Sequence, residues 1–135
     1  GAITGNIGRS PRNRKKMAVL RRGGRPAETG YRVLESFQNG KVSLVECRLK
    51  TGRTHQIRVH MAEAGHPLLG DPLYGRGDSR RAQGLPAEAQ AALAALGRQA
   101  LHAKTLGFQH PVSGDTLRFT CELPSDIGAL IRSLE

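Results

Sequence analysis

Hydrophobic and polar positions alternate in two runs of the chain, Gly30 to Phe37 and Val42 to Leu49. In the first, Tyr31, Val33 and Glu35 oppose Arg32, Leu34 and Ser36; in the second, Leu44, Glu46 and Arg48 oppose Val45, Cys47 and Leu49. A period of two predicts strands. Gln38-Asn39-Gly40-Lys41 between them predicts a hairpin turn, because Asn and Gly accept positive φ at low cost. The period then changes. Ile57, Met61 and Ala64 fall at i, i+4 and i+7. That spacing predicts a helix over 54–64 with one apolar stripe, Thr54 as its N-cap and Gly65 as its stop. Gly65 to Gly75 is punctuated by Gly, Pro and Asp and reads as a loop with an apolar middle. Arg76 to Gly84 reads as a mobile loop. Pro86 to Leu96 predicts an Ala-rich helix, with Pro in the first turn and Gly97 as its stop. Leu101 to His110 predicts a strand with Leu106 and Phe108 on one face, and Thr116 to Leu123 its return after the turn at 111–115. Ser125 is read as the cap of a last helix with Ile127, Leu130, Ile131 and Leu134 as its apolar face. About four strands and three helices, ordered as strand pairs joined through a helix, predict an α+β fold with a mixed, largely antiparallel sheet.

The first 27 residues do not follow this patterning. They contain Arg9, Arg12, Arg14, Lys15, Lys16, Arg21, Arg22 and Arg25, and the first carboxylate is Glu28. Two readings fit: a disordered basic arm, or a loop that binds phosphates. Eight phosphate contacts on single-stranded RNA would give a salt slope of roughly −5 to −6, large but blind to sequence. The formal net charge of the whole chain is +10, which calls for a polyanionic partner and says nothing of fold. Only 4% of residues are aromatic and none is Trp, which argues against an RNA module that stacks bases on many aromatics. The 135 residues suffice for one domain that buries roughly two thirds of its unfolded surface. Cys47 and Cys121 both fall in strand-like runs and read as two buried free thiols, as suits a reducing cytoplasm. No apolar run reaches transmembrane length, and no signal-peptide pattern is present.

The densest chemistry lies in 50–62. Arg53, His55, Gln56, Arg58 and His60 crowd into eight residues. Arg58 falls one position off the predicted stripe, on a face shared with Thr54, His55 and Ala62. It reads either as a solvated arginine or as part of a donor cluster for a polyanion or a buried carboxylate. His55 and His60 are five apart, not the four that puts a metal pair on one helix face, and neither cysteine has a Cys-x-x-Cys neighbour. No metal is expected. There is no nucleophile elbow and no Gly-Lys-Ser/Thr phosphate loop. Asp71 could serve as a catalytic acid, but its turn context assigns its carboxylate to backbone amides.

Lys50-Thr51-Gly52-Arg53-Thr54-His55-Gln56-Ile57-Arg58-Val59-His60, followed by Gly65-His66-Pro67-Leu68-Leu69-Gly70-Asp71 and Tyr74-Gly75, resembles the third motif of the RluA family of RNA pseudouridine synthases. Leu101-His102-Ala103 with Leu106, Phe108, His110-Pro111 and Gly114 resembles that family's next block. Gly8-Arg9, Pro11-Arg12 and Arg14 to Val19 are similar to a branch that acts on large-subunit ribosomal RNA. The resemblance runs nearly end to end. It implies part of the pseudouridine synthase catalytic fold, isomerisation of uridines in ribosomal RNA, no cofactor and a cytoplasmic setting.

By motif position the resemblance makes Arg58, not Arg53, the catalytic arginine. Its implied task is to keep an aspartate ionised in a site closed to water, since a guanidinium lowers such a carboxyl by about 1–3 pH units against desolvation. That aspartate belongs to an upstream Arg-Leu-Asp motif, a tripeptide absent from this sequence. The family's active-site tyrosine is also upstream, and neither Tyr31 nor Tyr74 matches its surroundings. The chain is therefore expected to be the C-terminal portion of a catalytic domain, inactive alone. Residues 1–27 would contact RNA, and 28–135 would carry the Arg58 motif. Arg9, Arg12, Arg14, Lys15, Lys16, Arg53, His55 and Gln56 are the expected RNA contacts, and Leu101 the expected packing under the flipped base. Strand edges left open by such a cut would favour self-association. A non-catalytic basic RNA-binding module and a DNA-binding protein are the competing readings.

Overall fold

The computed structural model describes residues 1–75, 82–109 and 112–135. Its longest element is a hairpin of β4 (Glu28–Phe37) and β5 (Val42–Leu49). The turn residues Gln38, Asn39 and Gly40 have φ of 51°, 56° and 83°, the left-handed conformations that the Asn-Gly pair supplies. A register shift between Val33 and Glu35 leaves Leu34 as the extra residue of a bulge. The expected two-faced alternation of β4 is not realised in burial: Tyr31 to Ser36 are all exposed. Short β1 (Ala2–Thr4) pairs antiparallel with β4 at Glu28 to Gly30, and β5 pairs with β4 from Thr29 to Phe37.

The basic first segment is built, not a disordered arm. After β1 the chain forms an antiparallel pair, β2 (Asn6–Arg9) with β3 (Met17–Leu20). Ile7 and Val19 face each other there, and Ile7 is buried. Ile7, Ala27, Val59 and Tyr74 make one core cluster, with Met17, Val19, Ala62 and Leu73 against it.

Helix α1 (Gln56–Glu63) follows β5. Both its predicted cap and its predicted stripe need correction. The cap position is His55, at φ 55°, with no side-chain cap from Thr54. Instead the Gln56 side chain reaches back, its Oε1 accepting from Arg53 N at 2.9 Å and from the Thr51 hydroxyl at 2.8 Å. The buried face is Gln56, Val59 and His60, whereas Ala64 is exposed and Ile57 and Met61 are half-buried. The stop is as expected. Gly65 sits at φ 86°, and the amides of Gly65 and His66 bond the Ala62 and Met61 carbonyls, closing the helix end.

The second core cluster joins the hairpin tip to two helices, α2 (Ala87–Leu96) and α3 (Ser125–Leu134). Phe37, Leu85, Ala89, Leu96, Ile127, Leu130 and Leu134 are its buried members. Gly97 ends α2 in the left-handed conformation, φ 63°. Ser125 is the first residue of α3, not its cap; Pro124 occupies that position and no side chain caps it. Between the helices, β6 (Thr105–Gln109) pairs antiparallel with β7 (Thr116–Thr120). The expected mobile loop falls largely on residues outside the described ones, as do His110, Pro111 and the side chain of Phe108.

Among the described residues there are seven strands, not about four, in three sheets of three, two and two strands, every pairing antiparallel. The α+β class holds. The cysteine reading needs correction: Cys121 is exposed and Cys47 only half-buried, both as free thiols. Burial, then the charge of Glu46, pushes the Cys47 thiol up, which keeps it protonated and inert. No described helix is long and apolar enough to cross a membrane.

Candidate functional site

A buried polar chain holds α1 in place. Gln56 Nε2 donates to Glu28 O at 2.9 Å and to Thr29 Oγ1 at 3.0 Å. Thr29 Oγ1 in turn meets His60 Nδ1 at 2.8 Å, and His60 Nε2 meets the Gly5 carbonyl at 3.0 Å. Helix α1 is thereby tied through side chains to β4 and to the end of β1. Each of these groups is satisfied, so their burial carries no unpaired-group penalty. Gln56 is 3% exposed, and its amide is consumed inside. The expectation that it contacts RNA is overturned: it has no free donor to offer and no surface to offer it from.

Arg58 leaves the first turn of α1 on a different face. Its Nε donates to Asp71 Oδ2 and its Nη2 to Asp71 Oδ1, both at 2.8 Å, a two-pronged pair. The side chains are 12% and 0% exposed. Asp71 Oδ1 also accepts the amides of Leu73 at 3.0 Å and Tyr74 at 3.1 Å, the turn role its context suggested. Burial pushes the Asp71 carboxyl up; the Arg58 hydrogen bond, the Tyr74 and Leu73 amides and the Arg58 charge reverse this and hold it below the usual carboxylate range. A carboxylate partner for Arg58 thus lies within this chain. Sequence reasoning assigned Asp71 to backbone amides alone and missed the pair, since 13 residues of helix end and irregular loop separate the two.

Tyr74 is the hub of the cluster. The Arg58 guanidinium carbon lies 5.0 Å from its ring centroid and Lys16 Nζ 5.6 Å from it, two cations against one aromatic ring. Its hydroxyl accepts from Met17 N at 3.0 Å and shares a 2.8 Å hydrogen bond with His55 Nδ1. Burial, then the Arg58 charge, lowers the His55 pKa against the opposing pull of Asp71. The ring is therefore neutral near pH 7, and Nδ1 is free to accept the tyrosine proton. Tyr74→Phe keeps the ring but leaves the Met17 amide and His55 Nδ1 without a partner. It is expected to lower stability by about 1–3 kcal/mol. A urea melt checks this, and an unchanged midpoint would mean that the hydroxyl is dispensable.

The guanidinium has five N–H donors, and Asp71 takes two. Among the described residues the Nη1 group and the second Nη2 proton have no protein partner. No unpaired side-chain nitrogen among the described residues is fully buried, so Nη1 keeps some access to solvent and a second anion could bond it. Two shallow clefts on the surface lie elsewhere: one of about 370 Å³ at Gly1, Tyr31 and Arg48, the other of about 520 Å³ at Glu35 to Asn39 and Leu134.

The remaining expected site residues are spread around this cluster. Lys16 and His55 join it through Tyr74. Arg9 folds its Nη1 onto the Arg14 carbonyl at 3.0 Å, bracing the loop that presents exposed Arg12, Arg14 and Lys15. Arg53 Nε donates to Pro26 O at 2.9 Å, on the other side of the motif. Leu101 is 36% exposed and belongs to neither core cluster. It follows Ala100, whose amide bonds Leu69 O at 2.8 Å, so its segment lies against the loop that carries Asp71. Among the described residues no three His, Cys, Asp or Glu side chains form a metal site.

A family model described as RNA pseudouridylate synthase matches residues 1–63. The ribosomal large subunit pseudouridine synthase D of Neisseria meningitidis serogroup A is 50% identical over 139 residues, which takes in 99% of this chain and 34% of that protein. Its namesake from Zymomonas mobilis is 47% identical over 135 residues, 99% of this chain and 40% of that protein. Among solved structures, human RNA pseudouridylate synthase domain containing 1 superposes with a TM-score of 0.68 at 30% identity, over 96% of this chain and 51% of that one. Human RNA pseudouridylate synthase domain containing 4 gives 0.67 at 28% identity, over 99% and 56%. The chain spans between about a third and two fifths of the length of these curated relatives.

Proposed function

We propose that this chain, which belongs to the RNA pseudouridylate synthase family, is the C-terminal portion of a catalytic domain that isomerises uridines in large-subunit ribosomal RNA. The observation that carries the reading is the half-used fork of Arg58. Asp71 fixes its Nε–Nη2 edge in a largely buried place, and the Nη1–Nη2 edge stays free for a second carboxylate. In this family an aspartate attacks or deprotonates the target nucleotide. The freed base turns and rejoins the sugar through carbon. Substrate and product hold the same atoms, so no co-substrate or cofactor is consumed. An aspartate excluded from water resists ionisation; a guanidinium edge within hydrogen-bond reach opposes that and also fixes its direction. Lysine would supply the charge without the second prong.

The supporting parts follow from the cluster. Tyr74 and Asp71 hold the Arg58 side chain. The 10–16 loop, with Arg12, Arg14 and Lys15 exposed and Lys16 against Tyr74, takes RNA phosphates beside the site. Leu101 supports the flipped base from the neighbouring segment. The open side of β4 beyond Tyr31 is a strand edge on which the isolated chain would self-associate.

The test is pseudouridine formation in a large-subunit ribosomal RNA transcript, read by carbodiimide modification and primer extension. The chain alone is expected to give none, and the whole protein to which it belongs to give product. Turnover by the chain alone would refute the two-part site. RNA binding without any product from the whole protein would favour a non-catalytic binding module.

A further inference from the structure

We infer a second phosphate-binding site, made by Arg21, Arg22 and Arg25 on the loop after β3 and completed by Arg53, which holds the RNA backbone apart from the Arg58 cluster. It rests on the reading of the chain as RNA-binding and divides its basic first segment into two separate contact sites. The loop has a fixed shape. Gly23 and Gly24 stand at φ 76° and 71°, and the Asn6 side-chain amide donates to the Gly23 carbonyl at 3.1 Å. Ile7 and Arg25 exchange both backbone hydrogen bonds, each 2.9 Å. A Cβ on Gly24 would come within 2.9 Å of the Ile7 carbonyl oxygen, so the approach of loop to strand requires glycine.

That loop presents three exposed guanidiniums, and Arg53 reaches it through the Pro26 carbonyl. Among the described residues five cations elsewhere have a carboxylate partner: Arg32 and Arg48 share Glu46, Lys50 meets Glu28, Arg58 meets Asp71 and Arg98 meets Asp126. Among the described residues, Arg21, Arg22, Arg25 and Arg53 have no carboxylate within ion-pair distance. Like charges gathered on a preset loop repel one another until an anion arrives. Guanidinium forks match the paired oxygens of a phosphodiester.

The loop lies at the opposite end of the β2–β3 ladder from residues 10–16. Asn6 pairs with Leu20 at this end and Arg9 with Met17 at the other, three residue steps or about 10 Å apart. The site motif touches both loops, this one through Arg53 and the other through Arg58, Tyr74 and Lys16. A single RNA strand anchored at both ends of the ladder would be held on two sides of the motif.

The experiment measures binding of the whole protein to a single-stranded ribosomal RNA segment between 50 and 200 mM salt. Arg21→Ala/Arg22→Ala/Arg25→Ala is compared with a control of equal charge loss, Lys41→Ala/Lys104→Ala/Arg118→Ala, all exposed and outside the loop. The salt slope is expected to become shallower by about 2 in the loop variant, at roughly 0.7 per lost contact, and to stay near wild type in the control. A loop variant with the wild-type slope, or a control that falls equally, overturns the site while leaving RNA binding intact. A wild-type protein that shows no salt-dependent RNA binding overturns the underlying reading and the site with it. All three arginines are exposed, so the variant should fold, and a circular dichroism melt verifies that.

Discussion

Arg58→Ala in the whole protein is expected to lower pseudouridine formation by about 10²–10³-fold or more, with RNA affinity changed by only a few fold. The size follows from the removal of a fixed charge-assisted donor pair in a water-poor site, a loss of roughly 3–4 kcal/mol at the transition state. Affinity survives because phosphate contacts from the basic loops supply most of it. Arg58→Lys separates charge from geometry. Lysine restores a cation but cannot hold Asp71 with one edge and a second carboxylate with the other, so activity should stay within about tenfold of the alanine variant. Single-turnover kinetics on a ribosomal RNA transcript reads this. An alanine variant at near-normal rate would remove Arg58 from the chemistry. A lysine variant at wild-type rate would show that charge alone suffices.

How much of this site was legible in the sequence depends on what kind of force builds each part. The β4–β5 hairpin lies where its alternation and its Asn-Gly turn put it, although the two faces of β4 are not buried as a period of two implies, and the apolar face of α3 lies where the helical period puts it. Helix α1 does not, because its core-facing side is polar. Gln56 and His60 are buried through hydrogen bonds to Thr29, Glu28 and Gly5. A reading that counts polar residues as exposed therefore chose Ile57, Met61 and Ala64, on the wrong side. Strands β1 to β3 are three or four residues long, too short for a period of two to register. Arg58 was marked by its position in a motif, which says nothing of its partner. The Asp71 pair depends on how the chain returns after Gly65. Gly70, at φ 74°, leaves no room for a side chain against the Arg98 carbonyl and so brings the loop tight against 98–101. No local pattern encodes that return.

Asp71 is the residue on which the geometry of Arg58 most depends, and Asp71→Asn should damage stability and activity together. Asparagine can still accept the Leu73 and Tyr74 amides, but its NH₂ would face Arg58 Nε–H, donor against donor, and the charge is gone. Removing one partner of a buried ion pair costs roughly 3–5 kcal/mol; the low end, about 3 kcal/mol, applies because Arg58 keeps an edge open to solvent. The pH dependence fixes the cause. The folded Asp71 carboxyl is held below its unfolded value of about 3.9. Its contribution to stability is therefore complete above about pH 5 and is lost as pH falls through the lower, folded value. Urea melts from pH 7 down to pH 3 should show wild-type stability falling steeply at the acid end. Asp71→Asn should start lower and lose less over the same range, so the two curves converge. Parallel curves would mean that the carboxylate charge does not hold Arg58. Arg58 would then keep its place by stacking on the Tyr74 ring, and Tyr74→Phe, which spares the ring, would leave activity high while Asp71→Asn would also spare it.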